Sequence, residues 1–295
     1  MMALAAPRAN ERAPTCPACG AGDALPAASS FPQTLLACTA CGHRWVADPR
    51  AHEPPAGFYD QLHEKDLINT VPFEERRAML DARVRLIEEW RSPGRLFDVG
   101  CGDGAFLARA EARGWSAIGL ETSPEAAGRA RSAVSGPILC VPLEQAALPD
   151  ALDAVTFWDC LEHLVDPADA LRRVARHLRP GGVVAITMPN AAGAEARLWG
   201  PRWAYLDLSR YGHLHHFTAR SLRRLVARAL GATRIDVRTQ GSVDLRYVPS
   251  LAAITRRTGG TWTLDRASGL LARLGRPLRL GSTLLLRAQK GPADG

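Results

Sequence analysis

The chain has 295 residues, 46% of them hydrophobic and 23% charged, with a formal net charge of +7, a composition that suits one large α/β domain and a small appendage. It holds no run of about 18 apolar residues, and Met1 to Pro14 lacks the apolar segment of an export signal, so we expect no membrane span and a cytoplasmic location. In that compartment the seven cysteines are expected to be thiols or metal ligands.

The positive charge is concentrated in the C-terminal third. From Arg197 onward there are 18 basic and 5 acidic residues. One interpretation is an anionic partner, such as a nucleic acid, a phosphorylated metabolite or lipid headgroups. The other is a solvated surface rich in arginine, which supplies 35 of the 37 basic residues.

Two cysteine pairs occupy the predicted first module, residues 1–50. Cys16-x-x-Cys19 and Cys38-x-x-Cys41 are separated by 18 residues, a spacing typical of four-cysteine zinc sites. Four thiolates close the coordination shell, so the zinc is expected to be structural. The alternative is a metal-free module with redox-active dithiols. With zinc, chelation is expected to unfold this module and to leave the rest of the chain folded.

A linker and a lead-in helix are predicted over residues 51–92, with helical apolar spacing from Phe73 to Trp90. Short apolar runs then alternate with helical stretches, which predicts an α/β fold with a parallel sheet covered on both faces. The predicted strands are 95–99, 115–120, 138–141, 154–158, 183–188, 233–239 and 282–288, and the predicted helices are 105–113, 124–134, 167–178 and 221–230. Ligands of such sheets bind beyond the carboxyl ends of the strands.

A glycine-rich turn follows the first of these strands. The segment Leu96-Phe-Asp-Val-Gly-Cys-Gly-Asp-Gly104 runs from a strand into a helix, and its glycines let a cofactor approach the backbone. Glu121 ends the next strand, where a carboxylate can accept hydrogen bonds from ribose hydroxyls. A glycine turn alone is weak evidence. Its spacing differs from the GxGxxG of dinucleotide-binding enzymes.

Three further segments match one known family in order and distance. They are Leu152-Asp-Ala-Val-Thr-Phe-Trp-Asp-Cys-Leu-Glu-His-Leu164, Leu178-Arg-Pro-Gly-Gly182 and Gly212-His-Leu-His-His-Phe-Thr218. Together with the glycine turn they resemble the class I methyltransferases that use S-adenosylmethionine (SAM), especially the group similar to the ubiquinone-biosynthesis O-methyltransferases. The resemblance extends from about residue 95 to 239. It implies a Rossmann-like seven-stranded sheet over residues 93–295 and SAM as the cofactor.

The resemblance also implies roles for individual residues. Gly100, Cys101 and Gly102, in the turn that ends at Gly104, would line the methionine part of SAM. Glu121 would bind the ribose. Asp98 would help to hold the amino group of SAM. Thr122, Ser123 and, by a looser alignment, Glu144 would lie at the adenosine. Trp158 and Asp159 would contact the cofactor or the acceptor. Glu162 and His163 are interpreted mainly as structural, although His163 could face the acceptor.

The acceptor side is expected in a loop at about 190–217. Its aromatic residues could wall a pocket for a flat or apolar acceptor, or could pack against the sheet; they are Trp199, Trp203, Tyr205 and Tyr211. His213 and His215 match the family's HLH segment, and a histidine is suited to take the acceptor's proton. His213 is therefore the first candidate for the general base and His215 the second. A histidine that merely holds the loop is the alternative.

A C-terminal insertion is predicted at about 242–281. Leu270, Leu271, Leu274 and Leu278 recur there at helical spacing, interleaved with Arg273, Arg276 and Arg279. Such a helix could pack its leucines on the sheet and leave the arginines in water. It could also cap the acceptor pocket and hold an anionic group through arginine.

The sequence thus predicts a methyltransferase for a small-molecule acceptor, anionic or aromatic, in a cofactor, natural-product or glycan pathway. Modules with four cysteines also precede some sugar C-methyltransferases and some ribosomal RNA methyltransferases. An RNA methyltransferase that uses the zinc module and the basic C-terminal third is therefore an alternative, disfavoured by Trp158-Asp159-Cys160 in place of a nucleobase motif. A non-catalytic SAM-binding scaffold is a third. The acceptor, the methylated atom and the oligomeric state are not encoded in these patterns.

Overall fold

A computed structural model of the chain describes residues 14–52, 54–55, 57–60, 73–241 and 281–292. The arginine-bearing helix predicted between 242 and 280 lies outside these residues. Within the described ranges, no helix combines the length and the apolar character needed to cross a membrane.

The described strands and helices follow the predicted order closely. The strands are β1 (Ala24–Ala27), β2 (Leu35–Cys38), β3 (Arg44–Val46), β4 (Arg95–Val99), β5 (Ser116–Leu120), β6 (Ile138–Leu139), β7 (Leu152–Trp158), β8 (Leu178–Pro189), β9 (His215–His216), β10 (Ala232–Gln240) and β11 (Thr283–Lys290). The α-helices are α1 (Phe73–Glu88), α2 (Ala105–Glu111), α3 (Pro124–Ala133), α4 (Pro167–His177), α5 (Ala194–Trp199), α6 (Leu208–Tyr211) and α7 (Ala219–Leu230). Short 3-10 helices span Arg50–His52, Leu143–Gln145, Leu161–His163, Gly200–Arg202 and Ala204–Leu206.

Capping side chains explain where three helices begin. Ser123 and Asp166 each accept a hydrogen bond from a first-turn backbone N–H, at α3 and α4 respectively, and a proline follows each cap. Such caps satisfy N–H groups that a helix leaves unpaired, and proline lacks one. Thr218 and Ser221 form a reciprocal capping box at α7, which ends at Gly231 in the left-handed conformation.

A seven-stranded sheet in the order β10-β11-β8-β7-β4-β5-β6 forms the central layer. Neighbouring side chains of β4 alternate between its faces: Leu96 packs with the buried residues of α1, α2 and α3, and Phe97 with those of α4 and α7. This arrangement confirms the predicted α/β class and Rossmann-like seven-stranded sheet.

The sheet is mixed rather than wholly parallel. Strands β4 to β8 pair in parallel, whereas β11 runs antiparallel to both β8 and β10. The expected parallel sheet is therefore present from β4 to β8, and the edge formed by β11 and β10 departs from it. An apolar run predicts that a strand is buried but not its direction, and an antiparallel edge on a parallel sheet is common.

A second, four-stranded sheet has the order β1-β2-β3-β9. Its first three strands come from the cysteine-bearing segment, and β9 comes from the predicted acceptor loop. The pairing is antiparallel, with Arg44 opposite His216 and Trp45 opposite His215. The segment at 190–217 is thus an ordered series of short helices that ends in a strand of the N-terminal sheet.

Two buried clusters join the N-terminal segment to the rest of the chain. In the first, Trp45 and three of the paired cysteines belong to the same core as Phe217 and the buried side of α7. In the second, Leu35 and Val46 pack with Trp203 and Leu214 of the acceptor loop. The N-terminal segment therefore shares both a sheet and buried apolar surface with the α/β domain.

Candidate functional site

The glycine turn lies at the carboxyl end of β4. Gly100, Gly102 and Gly104 have φ angles of +74°, +56° and +78°, a backbone region that other residues rarely adopt. The N–H groups of Gly100 and Cys101 donate to the Leu120 carbonyl at 2.8 and 3.0 Å. The turn is therefore anchored to the end of β5, next to the acidic residue predicted to bind a ribose.

Glu121 connects this turn to the next helix. Its carboxylate accepts from the Gly102 N–H at 2.9 Å and from the Ser123 N–H at 2.8 Å. The residue is only 4% exposed. A carboxylate has about four acceptor positions, so bonds to backbone N–H groups are compatible with further bonds from ribose hydroxyls.

Asp98 lies in β4 just before the turn and is buried. Thr156 Oγ1 donates to its carboxylate at 2.6 Å. Burial raises the pKa of Asp98 to about 7, against the hydrogen bond from Thr156 and the positive charge of Arg83, which lower it. A buried carboxyl group with this pKa is suited to bind a cation, because the cation favours its charged form.

Trp158 ends β7 and Asp159 directly follows it. Asp159 has a φ of +53° and accepts from Thr187 Oγ1 at 3.0 Å and from Arg83 at 3.1 Å. The Arg83 guanidinium also lies 4.7 Å from the centre of the Trp158 ring. The lead-in helix α1 thus contacts the site through Arg83, which the sequence did not predict.

The expected adenosine-side residues occupy the ends of β5 and β6. Ser123 is buried as the cap of α3, while Thr122 next to it is exposed. Glu144 lies in the 3-10 helix after β6 and is exposed. The Ser123 hydroxyl also donates to Asp60 of the predicted linker, so residues 57–60 reach the site.

Residues 58–60 are the main part of the site that the sequence reasoning missed. Phe58 packs on Gly212, where an added Cβ would be 2.8 Å from the Phe58 ring. Tyr59 meets the His163 ring edge-on at 6.0 Å. An aromatic pair inside a proline-rich linker was the available signal, because linkers without a packing role seldom contain such pairs.

A compact group of ionisable side chains follows β7. The ligand atoms of Glu162, His163 and His213 all lie within 4.8 Å of one another. Cys160, which directly precedes the 3-10 helix of Glu162 and His163, contacts the glycine turn, because an added Cβ at Gly100 would be 2.7 Å from the Sγ of Cys160. This group could hold a divalent cation or exchange protons with an acceptor.

Within this group the three side chains differ in environment. Glu162 is 1% exposed, and neither of its carboxylate oxygens has a hydrogen-bond partner among the described residues. Burial raises its pKa well above the usual range. Burial likewise lowers the pKa of His213 well below its usual range, so its ring is neutral. His163 Nδ1 donates to the Gly212 carbonyl at 3.2 Å, which in a neutral ring makes Nε2 the basic nitrogen.

The two candidate bases point to different places. The His213 ring stacks on Tyr205 at 5.4 Å and meets His163 at 4.7 Å. The His215 ring faces the N-terminal sheet: its Nδ1 is 3.2 Å from His43 Nε2, and its Nε2 is 3.4 Å from the Val165 carbonyl. Burial lowers the pKa of His215 to about 4. Of the two candidate bases, only His213 therefore belongs to the group with Glu162 and His163.

The aromatic residues of the acceptor loop divide in the same way. Tyr205 and Tyr211 contact the His213 ring. Trp203 is 1% exposed and belongs to the buried cluster shared with β2 and β3. The two tyrosines are thus placed at the site, and Trp203 supports the contact with the N-terminal sheet.

The four paired cysteines gather in one place. Cys16 and Cys41 have their sulfurs 3.7 Å apart, and Cys19 and Cys38 have theirs 3.6 Å apart. All four sulfurs lie within 4.8 Å of one another. A tetrahedral zinc with bonds of about 2.3 Å places its sulfurs about 3.8 Å apart, so the donor set and its spacing fit that ion.

Each cysteine pair forms the same tight turn. The N–H of the glycine after each pair donates to the carbonyl of that pair's first cysteine at 2.8 Å. These glycines, Gly20 and Gly42, have φ angles of +78° and +74°. The repeated geometry shows that each CxxCG segment is folded to present two thiols on one side.

Known proteins resemble this chain in sequence over its central part. Residues 73–232 match the family described as Methyltransferase domain. The ubiquinone biosynthesis O-methyltransferase of Burkholderia multivorans is 30% identical over 166 residues, which cover 54% of this chain and 63% of the relative. That of Aeromonas salmonicida is 36% identical over 103 residues, covering 32% and 43%. The chain thus spans about two fifths to two thirds of the length of these relatives.

Solved structures resemble it in fold. A SAM-dependent methyltransferase from Archaeoglobus fulgidus has a TM-score of 0.53 at 20% identity and covers 79% of this chain and 99% of its own. The plantazolicin methyltransferase BpumL in complex with SAH has a TM-score of 0.53 at 14% identity and covers 83% and 94%. Because the family match spans more than half of the chain, the chain belongs to the family described as Methyltransferase domain, and it has the fold of the SAM-dependent methyltransferases.

Proposed function

We propose that this methyltransferase acts on a hydroxyl group of a small-molecule acceptor. The observation that carries the proposal is the close approach of two imidazole rings, His213 and His163, whose centres are 4.7 Å apart, with His163 in the 3-10 helix that follows the carboxyl end of β7. O-methylation is also the activity named for the relatives. When bound, SAM supplies an electrophilic methyl group, so the protein has to align the acceptor and take up its proton.

The cofactor would be held along the ends of β4, β5 and β7. The Gly100–Gly104 backbone leaves room for the methionine part, with Cys101 inside the turn. Asp98 would attract the ammonium group and Glu121 would accept from the ribose hydroxyls. Thr122, Ser123 and Glu144 would lie on the adenosine side, and Trp158 and Asp159 beside the reacting end.

His213 would act as the general base, with His163 as its neighbour. A neutral imidazole can accept a proton from a hydroxyl group, and burial keeps His213 neutral. His215 would be a positioning residue, because its ring nitrogens are directed at His43 and the Val165 carbonyl.

The four cysteines would hold one structural zinc ion. Their sulfur spacing supports this assignment, and four thiolates leave no open coordination position for catalysis. Elemental analysis of protein purified without chelator should find about one zinc per chain. Protein that contains no zinc under these conditions would contradict the assignment.

An RNA acceptor is less well supported than a small molecule. Several arginines of the basic C-terminal third contact the chain itself: Arg224 and Arg228 donate to the Ala40 and Ala18 carbonyls, and Arg287 pairs with Glu89. These contacts explain part of the positive charge without a nucleic acid. They also attach α7 to the cysteine turns.

The proposal is tested by methyl transfer from labelled SAM to phenols, amino sugars and RNA, assayed side by side. We expect transfer to a hydroxyl of a small molecule. Transfer to RNA alone would replace the proposal with the nucleic-acid alternative, and SAM binding without transfer to any acceptor would favour a scaffold.

A further inference from the structure

A cavity of about 460 Å³ lies between the N-terminal segment and the acceptor loop. On one side its described lining includes Pro32 and Gln33, which lie just before β2. On the other side it includes Leu208 and Gly212, at the two ends of α6, and Phe58 also lines it. The cavity is therefore formed by parts of the chain that are far apart in sequence.

The inner wall of this cavity adjoins the histidine pair. Gly212 lines the cavity, precedes His213 and accepts a hydrogen bond from the His163 ring. Phe58 also lines it, and Tyr59, the next residue, contacts the same ring. Two lining residues thus connect the cavity to the histidine pair: Gly212 bonds to the His163 ring and is joined to His213, and Phe58 is joined to the residue that contacts that ring.

The surface offered to a ligand is largely apolar, because its polar side chains bond to the chain itself. The Gln33 amide donates to the Leu206 carbonyl. Asp207 accepts from the backbone and hydroxyl of Ser209 at 3.1 and 2.6 Å. His52 Nδ1 donates to the Asp48 carbonyl at 2.7 Å. Among the described lining residues, the prolines, Phe58 and Leu208 then provide the apolar contact surface.

The two walls are fixed to each other by backbone hydrogen bonds. The Ser30 N–H donates to the Pro201 carbonyl at 2.9 Å, and the Val46 N–H donates to the Leu214 carbonyl at 2.9 Å. The β3–β9 pairing continues this contact. A wall held in this way keeps a constant distance from His213, as precise alignment of an acceptor requires.

We infer that this cavity binds the methyl acceptor and that the cysteine-bearing N-terminal segment forms one of its walls. The acceptor class is a small molecule with an uncharged aromatic or alkyl body and a hydroxyl that reaches His213. This inference deepens the proposed methyl transfer and rests on it. The N-terminal segment is then a determinant of acceptor specificity.

The test uses 4-alkylcatechols with tails from methyl to hexyl, titrated by calorimetry into the full chain saturated with S-adenosylhomocysteine (SAH). Burial of each added methylene should raise affinity about two- to fourfold until the cavity is filled. Leu208→Trp and Pro32→Trp, which obstruct the cavity from opposite walls, should each weaken binding of hexylcatechol at least about tenfold. Leu198→Trp is the matched control, because Leu198 is 64% exposed and lies outside the lining.

The outcomes separate this inference from the proposed function. SAH affinity, measured first in every protein, reports the cofactor site and the folding of each variant. Affinity that does not rise with tail length, or hexylcatechol binding unaffected in both obstructed variants, would overturn the cavity assignment while SAH binding remains. An effect of Leu208→Trp alone would remove the N-terminal wall from the inference. If the unaltered chain does not bind SAH, that result would instead contradict the proposed function.

Discussion

Single carboxyl groups determine how the cofactor site is expected to behave. Asp98 and Glu121 are both nearly fully buried, yet they have different surroundings. Glu121 accepts hydrogen bonds from two backbone N–H groups, whereas Asp98 accepts one from a threonine hydroxyl. Burial is the largest influence on the pKa of Asp98. The first is arranged as a fixed hydrogen-bond acceptor, and the second as a group whose charge depends on pH and on the bound ligand.

The affinity for SAH should depend on pH through Asp98. Its pKa of about 7 means that the carboxylate predominates above pH 7 and the neutral acid below it. If the carboxylate attracts the ammonium group of SAH, the dissociation constant should be about tenfold higher at pH 6 than at pH 8. Calorimetry at the two pH values measures this ratio. In Asp98→Asn the part of this pH dependence that comes from Asp98 should disappear. If the ratio of the two dissociation constants is the same in both proteins, Asp98 does not bind the ammonium group in this way.

His213 and His215 should respond differently to substitution. Replacing His213 with alanine should lower turnover about 10²–10⁴-fold, the range for loss of a general base, and leave SAH affinity unchanged. Replacing His215 should mainly lower the stability of the fold, because its ring lies against His43 and Phe217. Initial rates and thermal unfolding of both variants distinguish the roles. Normal turnover in His213→Ala would mean that the proton leaves by another route.

At the scale of elements, the pairing of β3 with β9 is the feature that joins the N-terminal segment to the acceptor side. It places His215 and His216 opposite Trp45 and Arg44, and Thr218 beside them donates to the Cys41 carbonyl at 3.0 Å. A metal that holds Cys41 in position would also hold this strand. The sequence predicted a module that unfolds alone on chelation, but the shared sheet leads us to expect a coupled response.

Removal of the metal should therefore increase hydrogen exchange in two places. Residues 14–52 should lose protection because the cysteine turns depend on the metal. The backbone at 213–218 should lose protection with them, while β4 and β7 in the central sheet keep theirs. Exchange measured by mass spectrometry before and after chelation tests this. Loss confined to residues 14–52 would show that the segment is independent, as the sequence alone suggested.

Across the whole molecule, the sequence predicted the features that depend on local patterns. The strands and helices from β4 to β8 follow the apolar periodicity and caps such as Ser123. The glycine turn and Glu121 lie at the ends of adjacent strands, as the sequence spacing predicted. The remaining features depend on contacts between distant segments. A two-residue strand such as β9 has no periodic pattern to find, and the contacts of Arg83 with Asp159 and of His43 with His215 exist only once the chain is folded.

SAM binding between the glycine turn and Glu121 can be measured by calorimetric titration of SAH into the wild-type chain and Glu121→Ala. We expect one site per chain with a dissociation constant in the low-micromolar to submillimolar range. Loss of hydrogen bonds to a charged acceptor should weaken SAH binding to Glu121→Ala by about 1.5–3 kcal/mol, or about 10–150-fold. His213→Ala serves as the control and should bind SAH as the wild type does. Equal affinity in wild type and Glu121→Ala, or no binding to the wild type, would contradict the account.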